Sequence, residues 1–266
     1  MAKLVAYYHV YLTDNPATWS SIVTEQLDLI ERTGLLKELD QIRVTCITQK
    51  NSHAAAIFSR ICMAYSSKIN ITFVENPYLD DDDMVKNLNS HLTVTENVTM
   101  RRIWNDSQNE DMHILYFHTK GITSVIRHLT TNPETYLTYH YWRQFLNWGV
   151  IENWKSCVFG LQYHDVAGVN YYTNPSPHFS GGFWWTNSSY IKKLPDPSSL
   201  DWWKKLQADT SDIWLKTVSD RFRDEQWLCS IPHVVCDIYT PKINPAAHIL
   251  KRDQYEDRAN LVWHPV

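Results

Sequence analysis

The chain has 266 residues, a net charge of −4, 44% hydrophobic and 20% charged residues. That balance predicts a packed globular protein. It argues against a broad nucleic-acid-binding surface, which needs a positive excess, and no apolar run approaches the ~20 residues of a membrane span. The five cysteines (Cys46, Cys62, Cys157, Cys229, Cys236) contain no C-x-x-C pair. Zinc-ribbon and thioredoxin-type sites are thereby excluded, and free thiols in a reducing compartment are expected.

Leu4 to Leu12 reads as a buried strand, and the residues before it hold no apolar stretch of signal-peptide length, so no secretion signal is expected. The four Asn-x-Ser/Thr triplets, at Asn70, Asn97, Asn105 and Asn187, are accordingly read as incidental, and a cytoplasmic location is expected. Asn15-Pro16 has the form of a helix start, with apolar spacing from Trp19 to Leu35. Ile42–Thr48 reads as a strand, Ala54–Tyr65 as a helix and Ile69–Val74 as a strand. Such β-α-β-α-β alternation predicts a parallel sheet with covering helices, which binds ligands at the carboxyl ends of its strands.

Asp80 to Asp83 is a run of four acids before a helical pattern at Met84–Leu88. It is read as a helix cap in preference to a cation site. Val94–Ser107 predicts a helix and His113–Phe117 a central strand, which runs into His118-Thr119-Lys120-Gly121. A buried strand ending in this way presents a ring nitrogen, a cation and a turn where a phosphate would sit; the plain alternative is a polar strand end. From Thr135 an aromatic helix is expected, broken or bent near Gly149, followed by a strand within Leu161–Tyr172 that carries Asp165 near its start.

His178-Phe179-Ser180-Gly181-Gly182-Phe183-Trp184-Trp185 places two of the chain's seven glycines beside three aromatics. Glycines let a backbone turn sharply or let a ligand approach it, and indoles offer flat faces suited to a sugar. The alternative is a strand end that packs both Trp residues into the core. A short helix is expected over Ser188–Leu194. Lys192, Lys193, Lys204 and Lys205 interleave with Tyr190, Trp202 and Trp203, which fits a solvated helix face better than a nucleic-acid or membrane surface. Arg221-Phe222-Arg223-Asp224-Glu225-Gln226-Trp227 opens a helix with two acids, either dipole partners or a catalytic base. The tail from Pro241, with His248 and His264, has no assigned role.

In their order along the chain, His118-Thr119-Lys120-Gly121, Trp142-Arg143, Asp165-Val166-Ala167-Gly168, Ser180-Gly181-Gly182-Phe183-Trp184-Trp185 and Asp224-Glu225-Gln226-Trp227 resemble the GT-A class of nucleotide-sugar glycosyltransferases. The likeness is closest to a bacterial and viral glycan-building group and covers roughly residues 4 to 230. It implies a single α/β domain over 1–266, with a Rossmann-like, three-layer fold and a mostly parallel central sheet. Residues 1–125 would form the nucleotide-sugar half and 126–266 an aromatic-rich acceptor half.

The resemblance further implies donor binding by His118, Thr119, Lys120, Gly121 and Asp165. It implies acceptor binding by His178, Ser180, Gly181, Gly182, Trp184 and Trp185, and Glu225 or Asp224 as base. The implied partners are a nucleotide-sugar and a glycan or glycoconjugate, with no obligate nucleic acid and at most peripheral membrane contact. Where GT-A enzymes carry Asp-x-Asp for Mn²⁺ or Mg²⁺, this chain has His118-Thr119-Lys120. The expectation is therefore that Lys120 supplies the positive charge, the alternative being a metal held by His118 with Asp165 or a later His. Other function classes are a non-catalytic carbohydrate or nucleotide-sugar binder and a glycosyltransferase acting on a hydroxylated DNA base. A different nucleotide-binding enzyme finds no support, because the chain has no G-x-G-x-x-G, P-loop or G-x-S-x-G.

Overall fold

The computed structural model describes residues 2–48, 52–76, 95–122, 125, 131–218 and 222–258. Strand β1 (Lys3–Tyr11) is buried on both faces through its centre, as a central parallel strand must be. Asn15 accepts from the backbone of Ala17 and Pro16 opens a 3-10 turn, so the Asn-Pro start gives one tight turn before helix α1 (Ser20–Arg32). The helical pattern read through to Leu35 breaks at Gly34 into a further one-turn helix, α2 (Leu35–Glu38), and β2 (Gln41–Thr48), α3 (His53–Tyr65) and β3 (Ile69–Glu75) follow as the pattern predicts. Asp80–Asp83 and Met84–Leu88 lie outside the described residues, as do Val94, Arg221 and His264.

Helix α4 (Asn97–Asn109) leads into β4 (Met112–His118). The aromatic helix α5 (Pro133–Asn147) passes into a π turn over Trp148–Glu152 and then α6 (Trp154–Gly160). The break or bend expected near Gly149 falls on this π turn, where a Cβ would lie 2.3 Å from Val169 Cγ1, so only glycine lets the turn lie this close to the sheet. The strand expected within Leu161–Tyr172 is shorter. Leu161–Tyr163 form a turn beyond α6, and β5 spans only Val166–Val169. A two-stranded ribbon, β6 (Tyr171–Tyr172) and β7 (His178–Phe179), precedes β8 (Trp184–Asn187). Then come α7 (Ser188–Ile191), α8 (Asp201–Asp209), α9 (Ile213–Thr217), α10 (Arg223–Trp227) and β9 (Val235–Tyr239). The helix expected to Leu194 stops at Ile191.

The main sheet has seven strands in the order β3-β2-β1-β4-β8-β5-β9. It is mostly parallel and Rossmann-like: β8 runs against both its neighbours, and the remaining adjacent pairs are parallel. Strand side chains alternate between faces, so the sheet carries two apolar layers. On one face Tyr8, Val10, Phe117 and Trp185 pack with Trp19, Phe58 and Phe145. On the other Tyr7, Tyr116 and Trp184 pack with Ile103, Tyr190 and Trp227. Each fully buried Leu, Ile or Phe in these layers contributes roughly 1.5–3 kcal/mol. Because β2 and β3 lie to one side of β1 and β4 to the other, strand order reverses between β1 and β4. Parallel sheets bind ligands at the carboxyl side of such a switch point.

Candidate active site at the β1–β4 switch point

His118 ends β4 at this crevice, and beside it His9 near the end of β1 is the one strongly polar ring in a buried apolar run. The backbone of His118 is fixed from behind. Its carbonyl accepts from Gln26 Nε2 at 3.0 Å, and Gln26 also receives the Tyr8 hydroxyl and donates to Asn147. The His118 ring is fixed from the front: its Nδ1 lies 3.2 Å from Glu96 Oε2, in ion-pair reach but off hydrogen-bond alignment. The Tyr116 hydroxyl donates to the same oxygen at 2.6 Å. Burial pushes the Glu96 carboxyl up, but the pairing with His118, the bond from Tyr116 and the proximity of His9 outweigh it and hold Glu96 well below the usual carboxylate range. Burial, with His118 adding to it, pushes the His9 imidazole down to about 4, so His9 is neutral at pH 7 and meets Thr99 Oγ1 at 2.8 Å.

Lys120 is held by the helix that begins at Pro133. Trp142 lies beneath its ammonium at 4.1 Å, a cation–π contact. Arg143 Nη1 donates to its carbonyl at 3.1 Å, and the same guanidinium grips Glu25 through Nε at 3.2 Å and Nη2 at 2.9 Å. Gly121 packs on Arg143, where a Cβ would be 3.3 Å from Nη1. Thr119 donates its backbone N–H to His9 O and accepts from Tyr11 N, tying β4 to β1. Thus the Trp142-Arg143 pair and the His118–Gly121 stretch form one unit.

Because β8 is antiparallel, its start lies at the carboxyl end of β4, with Trp184 opposite Tyr116. Gly181 and Gly182 therefore arrive at the crevice. Both have positive φ, +99° and +74°, a region that favours glycine. A Cβ on Gly182 would stand 3.5 Å from His118 Cε1 and 3.7 Å from Glu96 Oε2. Ser180 N donates to Asn170 O, whose side-chain amide returns a bond to Ser180 O.

The third contribution is α10. Glu225 Oε1 stands 3.7 Å from Lys120 Nζ. Asp224, buried, accepts from Asn97 Nδ2 at 3.3 Å, lies 3.5 Å from Arg223 Nε and has the Thr95 side chain beside it. Burial, reinforced by the charge of Glu96, raises the Asp224 carboxyl to about 6.

Three expectations are corrected in position. Asp165 sits before β5, at the amino end of the sheet; its Oδ2 accepts from Val234 N at 2.9 Å. It is remote from His118, so it neither binds a donor there nor shares a metal with it. Trp185 is fully buried, with its indole N–H given to Val150 O at 2.8 Å. Trp184 is 2% exposed on the opposite face, tilted against Tyr116. Period-2 alternation puts the pair into separate cores, so neither indole offers an open face for a sugar. His178, also buried, turns its Nδ1 to Ser176 O at 2.7 Å on the small ribbon.

Glu96 and His9 were not among the sequence candidates. His9 carried a readable signal, a lone imidazole in a strand otherwise built to be buried. Glu96 carried none, since nothing near it in sequence announces a partner at His118. Among the described residues no group of three or more His, Cys, Asp or Glu side chains converges to hold a metal ion. Among them no helix is long and apolar enough to cross a membrane.

A family profile described as a domain of unknown function (DUF8361) matches residues 7–261. No curated protein matches this chain. Among solved structures it is similar to 4-diphosphocytidyl-2C-methyl-D-erythritol synthase from Anaerococcus prevotii DSM 20548, at 10% identity and a TM-score of 0.44, over 97% of this chain and 95% of that one.

Proposed function

This chain belongs to the DUF8361 family, and we propose that it is a glycosyltransferase which moves a sugar from a nucleotide-sugar to a hydroxyl of a glycan or glycoconjugate. The observation that carries the reading is the meeting of two supported cationic or ring-nitrogen groups, Lys120 and His118, with a facing carboxylate, Glu225, at the switch point of a parallel sheet. A departing diphosphate needs oriented positive charge, and an attacking hydroxyl needs a base within hydrogen-bond reach.

In this reaction the bond from the anomeric carbon to the diphosphate oxygen breaks, and its electron pair leaves with the diphosphate. The acceptor oxygen forms the new bond to that carbon, and its proton passes to a carboxylate. Lys120 and the His118 ring receive the diphosphate. Thr119 and Gly121 set the backbone that carries Lys120. Gly181 and Gly182 let the sugar approach the main chain beside His118, with Ser180 on the acceptor side. Glu225 takes the proton; Asp224, with its raised pKa, is the alternative base.

The test pairs binding with turnover. Thermal shift with UDP-, GDP-, CMP- and dTDP-sugars identifies the donor, since a ligand of the folded state raises Tm. Transfer is then followed with that donor and candidate glycans. Lys120→Ala is expected to weaken donor binding at least tenfold, and Glu225→Gln or Asp224→Asn to cut turnover by roughly 10²–10⁴. Full activity in both carboxylate variants would remove the base assignment; absence of any donor shift would remove the glycosyltransferase reading.

A further inference from the structure

The ion pairs around this crevice differ in how firmly they are made. Arg143, with a 5% exposed side chain, holds Glu25 through two nitrogens at 3.2 and 2.9 Å. Away from the crevice, toward the amino end of the sheet, Arg43 likewise holds Asp106 and Glu110 at 2.7 and 2.8 Å. Lys120 and Glu225 instead stand 3.7 Å apart, beyond hydrogen-bond length, with 15% and 26% of their side chains exposed. Partly exposed pairs without a directional bond contribute little and exchange partners readily.

The backbones on both sides are nonetheless fixed. Lys120 has its carbonyl bound by Arg143 and its ammonium seated on Trp142. Glu225 lies between Asp224, held by Asn97, and Gln226, bonded to Ser176, while Trp227 gives its indole N–H to Pro195 O. Only the two side chains are free to part. Among the described residues Glu225 is the one carboxylate paired with Lys120, since Glu96 is engaged by His118 and Tyr116, and Asp224 by Asn97 and Arg223.

We infer that Glu225 is a built-in counter-anion of a polyphosphate-binding cation: it occupies Lys120 until the diphosphate of a nucleotide donor displaces it, and that displacement frees the carboxylate for the acceptor. The first half concerns anion binding alone; the second rests on the glycosyl-transfer reading. The consequence is an order of events. Before the donor arrives, the carboxylate faces Lys120 and is turned away from an acceptor. Afterwards the ammonium is taken by phosphate oxygens, and like-charge repulsion turns Glu225 away from them toward the incoming hydroxyl. Donor therefore binds first.

The discriminating variant is Glu225→Gln in the full chain, with Glu225→Ala as a second in case the amide re-bonds to Lys120. Pyrophosphate and the donor nucleotide-sugar are each titrated calorimetrically into wild type, both variants and Lys120→Ala/Glu225→Gln. The expected result is about threefold to tenfold tighter pyrophosphate and donor binding in the single variants. The gain should disappear in the double variant, and transfer should be lost although donor affinity rises. Equal or weaker pyrophosphate binding in both single variants overturns the counter-anion role, as does failure of pyrophosphate to bind any of the proteins. Tighter pyrophosphate binding without any nucleotide-sugar bound or transferred keeps the counter-anion and overturns the glycosyl-transfer reading. Transfer by wild type with no gain in the variants does the reverse.

Discussion

Asp224→Asn should make this protein relatively more stable as pH rises. The carboxyl is raised from 3.8 to about 6, chiefly by burial and then by the charge of Glu96, and its side chain is 4% exposed. An acid with a raised folded pKa favours the neutral form in the native state. Its contribution is whole below pH 3.8 and is lost as pH rises through 6. A rise of about two units at 1.36 kcal/mol each makes the full loss ~3 kcal/mol. Linkage puts about 2 kcal/mol of it between pH 4.5 and 7.5. Asparagine keeps an oxygen to accept from Asn97 and has no charge to desolvate, so the variant escapes this loss. Urea unfolding of both proteins at half-unit steps from pH 4.5 to 7.5 measures the difference in stability. Constant effects of the substitution cancel along that series. The variant should gain ~2 kcal/mol on wild type across the range, or roughly 4–8 °C in Tm for a chain of this size. A difference flat to within about 0.5 kcal/mol would falsify the argument that Asp224 is a desolvated, charge-crowded carboxyl.

Gly149→Ala places a Cβ 2.3–2.9 Å from three carbons of Val169; overpacking of this kind should cost about 1–3 kcal/mol in urea unfolding. Trp185→Phe leaves the buried Val150 carbonyl without its donor. It should lower stability by about 1–3 kcal/mol while leaving donor affinity of the folded protein unchanged, whereas a loss of sugar affinity at constant stability would return the indole to the site. Arg143→Met removes the grip on Glu25 and on the Lys120 carbonyl. With Glu25 still 30% exposed, about 1–3 kcal/mol is expected after discounting for solvent, together with weaker pyrophosphate binding as Lys120 loosens.

Local pattern carried the first half of this fold. The alternation from Leu4 to Val74 announced β1, α1, β2, α3 and β3 within a residue or three, because each element buries one stripe or one strand and its period is set locally. The interruption of the aromatic helix near Gly149 was equally readable, since glycine is a poor helix former. What sequence could not carry was direction. Nothing in Trp184–Asn187 says that this strand runs against its neighbours, yet that reversal brings Gly182 to His118 and leaves Asp165 at the far end of the sheet. The adjacent indoles were misread for a related reason: two neighbours in a strand face opposite ways, so a Trp-Trp pair in a sheet serves two cores. Glu96 meets His118 only through the packing of α4, a tertiary event with no local mark.

The strand order also has a temporal consequence. β2 follows β1, and β3 follows β2, after gaps that a single helical crossover spans, but β4 must pair with β1 across more than a hundred residues: Lys3 stands opposite Met112 and His9 opposite His118. Pairings this distant in sequence form late, because a long loop must close before any contact rewards it. The crevice draws on His9, Glu96, His118, Gly182 and Glu225, so a growing chain holds all its parts only after α10 has emerged. A translation product truncated before Arg223 would retain most of the sheet and lack the carboxylate that faces Lys120. Quality control acting on such fragments would meet a sheet with β9 missing and β5 left as an open edge, a surface prone to pairing with other chains.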